Sequence, residues 1–181
     1  MNLEAKQMIR WGMPGWLFIS VMFTYFTIDD KKAFIRFLKE WDISLLGLTA
    51  LLIGFGFILG YVIHQVSLLF GFVIWNKWEN YFRNEFKMDH IIINKPCGPE
   101  IQRIYSYRSG QVYALRALTT SFILSCMTLI LLFYFHSWST GSIVLFLINA
   151  VLLVISFVNQ RYFRKNLEYF MTRTLIENNR V

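Results

Sequence analysis

Charge is what this chain lacks over most of its length. It has 11 Asp and Glu in 181 residues, and its four long apolar runs, 11–27, 43–75, 117–135 and 142–158, contain no Asp, Glu, Lys or Arg. Transporters driven by protons or cations usually place a carboxylate inside a span. Broken half-helices around a midplane site are not evident either, so coupled transport is disfavoured. Cysteine is reduced to Cys97, in a polar segment, and Cys126, in an apolar run, which argues against a bridge. With three histidines there is no metal-ligand spacing, and Asp89-His90 has no third ligand near it in sequence. No Walker loop, GxGxxG, Ser/His/Asp or Cys/His arrangement is present. The expectation is a protein with no cofactor and no metal, and not an enzyme.

What is present is apolar surface. Hydrophobic residues make up 56% of the chain and aromatics 18%, too much for an ordinary soluble domain. About 20 apolar residues cross a bilayer core, and each run reaches or approaches that length. Run 11–27 follows a short basic arm, as in a signal peptide, but it ends in Thr24-Tyr25-Phe26-Thr27 where a small-residue cleavage site would stand. Pro14-Gly15 near its entry suits a first helical turn or a kink. Run 43–75 is the longest, and the other helices are expected to assemble on it. Thr49, Gly56, Gly60, His64, Ser67 and Gly71 fall within a helical sector of ~80° there. Its pattern continues through Trp78, Tyr81, Phe82 and Phe86 on one face. That predicts one helix to residue 87, on the order of 65 Å long, projecting as a stalk. Ile91-Ile92-Ile93 reads as a short strand, and Pro99-Glu100 opens another helix leading into run 117–135. Residues 136–141 are few enough for a tight antiparallel hairpin.

The sidedness of Lys and Arg orients these runs. Four spans put the N-terminal arm, the second connector and the tail on one side, with 14 of the 18 Lys and Arg. Cytoplasmic loops collect such residues, so the whole net charge of +7 falls on the inner face. Trp11, Trp41, Trp75, Trp78 and Trp138 lie at or near run ends, as in an aromatic belt. The expected architecture is an all-α membrane protein with four transmembrane helices and a small helical, basic cytoplasmic layer. Both termini lie inside, and the expected location is a bacterial inner membrane. Its segments are a two-span piece 1–75, a cytoplasmic helical connector 76–116, a transmembrane hairpin 117–158 and a basic tail 159–181.

Two sets of residues are candidates for function. The first is the stripe Thr49, Gly56, Gly60, His64, Ser67 and Gly71, which would serve either helix packing or the lining of a pore. Gly56-x-x-x-Gly60 lets two backbones approach closely. His64 is a histidine inside a span, where charging it is expensive, so it reads as a neutral packed residue or a gate. A second face holds Gly47, Gly54, Tyr61 and Gln65, and glycine on two sides favours an oligomer. Ser142, Asn149 and Ser156, with Ser121, Ser125 and Thr128, read first as bonds across helices and otherwise as a polar wall. The second set is basic: Lys77, Arg83, Lys87, Arg103, Arg108, Arg116, Arg161, Arg164 and Lys165, with Lys95, Arg173 and Arg180 beside them. It would anchor the protein on anionic headgroups. With Tyr105, Tyr107 and Tyr113 among the arginines, it would alternatively hold an anionic ligand such as a nucleotide or nucleic acid.

The leading expectation for function is an oligomeric pore or ion channel gated at its basic inner face. By analogy of architecture alone, such proteins suit membrane-permeabilising effectors of the toxin or antiphage-defence type. The alternative is a non-conducting anchor or scaffold subunit that holds a cytoplasmic protein partner or anionic lipid. The partners implied are the bilayer, further copies of the chain and the ligand of the basic face.

Overall fold

A computed structural model of the chain describes residues 3–29, 31–40, 44–74, 78–135 and 139–178, with backbone alone for 3–10, 33–34, 37–38, 45, 72, 80 and 178. These residues are helical almost throughout. In order they form α1 (Leu3–Asp29), α2 (Lys31–Glu40), α3 (Leu45–Leu68) ending in a π-helical turn (Leu69–Val73), α4 (Trp78–Asn94), α5 (Gly98–Phe135) and α6 (Thr140–Asn178). Among the described residues, three stretches are long and apolar enough to cross a membrane: Leu46–Gly71, Gly98–Phe135 and Thr140–Glu177. The expectation of four spans is therefore met for three. α1 has the length, at 27 residues, but Trp11, Gly12, Pro14, Gly15 and Trp16 dilute its apolar character.

Local chemistry sets the helix ends. Ser44 has extended backbone angles and its Oγ accepts from the Gly47 amide at 3.1 Å, an N-cap for α3. At the start of α6, Ser139 and Ser142 cap each other, each hydroxyl accepting from the other's amide at 3.2 Å. The Asp29 carboxylate accepts from both hydroxyls, which ties the end of α1 to the α6 N-terminus, where negative charge is favoured.

The helix on which the others assemble is α5, and not the glycine-bearing α3 that the sequence suggests. α5 packs against α1, α3, α4 and α6. It does so with small residues: Ala117, Thr119, Ser121, Ser125 and Cys126 are all buried along it. Ser121 donates to the Pro14 carbonyl of α1 at 2.6 Å. Asn149 of α6 donates to the Phe122 carbonyl at 3.2 Å and to Cys126 Sγ at 2.9 Å. A serine stripe allows close approach as a glycine stripe does, and it brings hydroxyls that bond to the neighbour's backbone. α5 and α6 form the expected antiparallel hairpin. At 38 and 39 residues each is about 57–58 Å long. That is nearly twice a hydrocarbon core of about 30 Å, so both helices run well past their apolar halves. α4 packs on these extensions.

α1 lies antiparallel along α3, and their backbones all but touch. A Cβ on Gly60 would stand 2.0 Å from the Trp11 carbonyl oxygen, and one on Gly15 would stand 2.0 Å from the Gly56 carbonyl oxygen. Trp16 closes the crossing, its indole N–H donating to the Ile53 carbonyl at 3.2 Å. Pro14 sits inside α1 and not in a first turn, because the helix begins at Leu3.

The expected single helix to residue 87 is seen as α3 with its π turn, where Ile74 N–H bonds to the Leu69 carbonyl at 3.1 Å, and as α4 from Trp78; residues 75–77 between them lie outside the described residues. The Trp78 indole donates to the Val73 carbonyl at 2.8 Å. One other expectation is corrected. Ile91–Ile93 belongs to α4 and not to a strand. Of the apolar face expected on α4, Trp78, Phe82 and Phe86 are exposed and Tyr81 is half-buried, while Met88 and Ile91 are its buried side chains among the described residues.

The glycine crossing predicts a contrast. Gly60→Ala forces α1 and α3 apart and should cost ~1–3 kcal/mol or more, the range for overpacking. Gly54→Ala, whose Cβ meets nothing within 4 Å, should leave stability unchanged or slightly raised. Unfolding of the purified variants in mixed micelles measures the difference.

Candidate anion-binding site

Past their apolar halves, α5 and α6 present matching faces. Tyr105, Ser109, Val112, Tyr113 and Arg116 recur at helical spacing on α5, as do Arg164, Leu167, Glu168, Met171, Thr172 and Leu175 on α6. With Tyr81 and Asn84 of α4 and Gly71 of the π turn, they line a cleft of about 210 Å³. It lies where the basic extensions meet the end of an apolar span, since Arg116 immediately precedes the apolar run that starts at Ala117.

Arg116 forms the inner wall of this cleft. It is 7% exposed, the only charged side chain buried among the described residues. Its Nε and Nη1 have no hydrogen-bond partner among the described residues. The stem crosses Gly71 so closely that a Cβ there would lie 2.7 Å from the arginine Cδ. The guanidinium sits 5.5 Å from the centre of the Tyr113 ring, a contact worth ~0.5–2 kcal/mol. Burying an ion costs several kcal/mol, so this contact does not offset the burial. The electrostatic neighbours of Arg116 are Tyr113, Tyr81 and Arg164, and none of them is a carboxylate.

The tyrosines form a hydrogen-bonded group. Tyr81 donates to Glu85 Oε1 at 3.3 Å and also bonds to Tyr113 and to Tyr105. Burial first, then the Tyr113 contact and the charge of Glu85, push the Tyr81 phenol above its ordinary value. The cleft thus keeps neutral O–H donors beside a cation. Arg164 joins Arg116 there but is bonded to Glu168 at 2.9 Å. Both side chains of that pair are more than half exposed, so it adds little stability.

The other basic residues are dispersed. Arg108 donates to Asn166 Oδ1 at 2.5 Å and lies over the Phe170 ring at 4.7 Å. Arg161 lies over Phe157 at 5.1 Å, Arg173 over Tyr169, and Arg103 pairs with Glu100 at 3.6 Å. Arg83, Lys87 and Lys165 are exposed and Lys95 half-buried, while Tyr107 bonds to Gln111 outside the cleft. Lys77 and Arg180, like Trp41, Trp75 and Trp138, lie outside the described residues.

The first candidate set does not form one site. Gly56 and Gly60 are buried under α1. Thr49 is exposed beside an apolar groove between α1 and α3 that Trp16, Ile19 and Phe57 also line. Ser67 is buried, bonding to the His64 carbonyl at 2.7 Å, and His64 is half-buried. Gly71 alone of this set reaches the cleft. Tyr81, Ser109, Glu168 and Thr172 are cleft residues that were not singled out for it. The signal for them was the helical spacing on α5 and α6, read together with continued helix in the tail. Among the described residues, no three His, Cys, Asp or Glu side chains come together as a metal ion would need.

The raised phenol sets a pH dependence. An unfolded tyrosine ionises near pH 10. The contribution of neutral Tyr81 is therefore complete below that pH and is lost as pH rises through the higher folded value. Tyr105 is raised by burial in the same way, so spectrophotometric titration should show a late-ionising component to which both belong, and Tyr81→Phe should reduce that component by one tyrosine. No protein-family model matches this chain, and neither a curated protein nor a solved structure matches it.

Proposed function

We propose that this chain is a subunit of an oligomeric pore- or channel-like protein of a bacterial inner membrane, opened by an anionic ligand at its basic, cytoplasmic end. The observation that carries the reading is the seat of Arg116 on Gly71. A side chain that faces the ligand cleft rests on the last turn of a helix apolar enough to span. That turn is π-helical, a geometry frequent at functional sites. A ligand that draws the guanidinium outward changes what rests on Gly71 and so biases the end of α3.

α1 is the fourth span in this reading. It accompanies α3 from Trp11 against Gly60 to Phe23 beside Thr49, which supports counting it with α3 as a span. With four spans, 14 of 18 Lys and Arg share one side, which supports the cytoplasmic assignment. The outer face of α3 supports contact between subunits: Gly54 and Gln65 are exposed on it, while α1 covers the opposite glycines. Membrane permeabilisation suits an effector of the toxin or antiphage-defence type, with the ligand as its trigger.

A second reading, a non-conducting anchor for an anionic lipid or a cytoplasmic partner, has one observation in its favour. The span polar groups Ser121, Ser125, Ser142 and Asn149 are buried inside the subunit, which leaves few groups to wet a conduit. Membrane potential in expressing cells separates the two. The pore reading expects dissipation by the wild type and its loss in Gly54→Leu, where the subunit itself has room for the side chain. Full potential in cells holding abundant inserted wild-type protein contradicts it.

A further inference from the structure

The cleft can be assigned a ligand chemistry from its own groups. Arg116 brings a positive charge that is buried and that no carboxylate balances. Its Nε and Nη1 point hydrogens at no acceptor among the described residues. The one carboxylate lining the cleft, Glu168, is bonded to Arg164, and Glu85 accepts from Tyr81. The hydroxyls of Ser109 and Thr172 donate to the carbonyls of Ser106 and Glu168, which leaves the Arg116 guanidinium as the group with free donors. A buried arginine with unused donors calls for an acceptor-rich anion from outside the chain, and the planar guanidinium suits phosphate oxygens.

We propose that this cleft binds a phosphate group, monoester or diester, with Arg116 as its principal contact. Size and position narrow the choice. A volume of about 210 Å³ is below the ~300 Å³ at which pockets for drug-sized ligands begin. It encloses a phosphate with a small substituent, and not a nucleic-acid strand. The cleft also sits beside Arg116, at the end of the apolar run that starts at Ala117, the level at which headgroup phosphates would stand if that run spans. Two sources share this chemistry, an anionic lipid headgroup and a small soluble phosphate compound. The inference rests on the reading above in taking this end to face the cytoplasm and the headgroups of that leaflet.

The test uses the full chain in nanodiscs of phosphatidylcholine alone or with phosphatidylglycerol. Thermal unfolding is followed with inorganic phosphate, and with chloride at equal ionic strength as the control. The expected result is a rise in Tm with phosphate, with phosphatidylglycerol or with both. A response to phosphate in neutral discs identifies a soluble phosphate, and a response to phosphatidylglycerol alone identifies the headgroup. Apparent affinity should fall at least tenfold in Arg116→Gln and stay as wild type in Arg103→Gln, an exposed control. Thr172→Glu puts a carboxylate at the exposed rim and should weaken binding to a similar degree, which keeps the test decisive should Arg116→Gln fold poorly. No response in either disc, or a response unchanged in both Arg116→Gln and Thr172→Glu, overturns the site. Arg116-dependent binding by a protein that conducts nothing leaves the site standing and removes the pore. Conduction with a phosphate response indifferent to Arg116 does the reverse.

Discussion

An arginine side chain laid across a glycine joins the two halves of this molecule. The stem of Arg116 occupies the space that any side chain at position 71 would need. On one side of the contact are the basic extensions of α5 and α6 with α4 packed on them. On the other is α3, which runs from there through the apolar region. A buried guanidinium is costly unless an anion balances it, and the described residues offer no carboxylate for the purpose. That imbalance is what makes the cleft a ligand site in our account. The glycine beneath is what makes the site mechanical, since the arginine cannot shift without altering the support of the last turn of α3.

The rest of the architecture holds that contact in place. α5 is clamped by four partners along a stripe of small residues, and its serines bond to backbone carbonyls of the neighbours. α1 fits against α3 because Gly15, Gly56 and Gly60 remove the side chains that would separate the two backbones. The capping pair Ser139 and Ser142, with Asp29, fixes the far end of the same bundle. Close backbone approach, more than apolar burial, gives specificity here: where the surroundings are as apolar as the side chains, burial alone does not hold helices together.

Much of this was legible in the residues. The uncharged runs mark α1, α3 and the apolar halves of α5 and α6, and Gly56-x-x-x-Gly60 marks a tight crossing. Two things were not legible, for one reason. Near a membrane, hydrophobicity no longer tells inside from outside. Trp78, Phe82 and Phe86 read as one apolar face of α4, yet they are exposed while Met88 and Ile91 are buried. Likewise α3, with its glycines, read as the organising helix, while the less conspicuous Ala, Ser and Thr stripe of α5 holds more of the contacts. Arg116 was named among the basic residues. Its distinction from them is burial, which depends on α6 continuing as helix to residue 178 and closing over it.

The account depends on Arg116 reporting ligand occupancy to the end of α3. Amide hydrogen exchange over Leu69–Ile74 reads this directly, because the π turn's own hydrogen bonds are the ones to be strengthened or released. Addition of the phosphate-bearing ligand should change exchange at these amides in the wild type and leave it unchanged in Arg116→Gln. Identical exchange with and without bound ligand in the wild type would contradict the coupling.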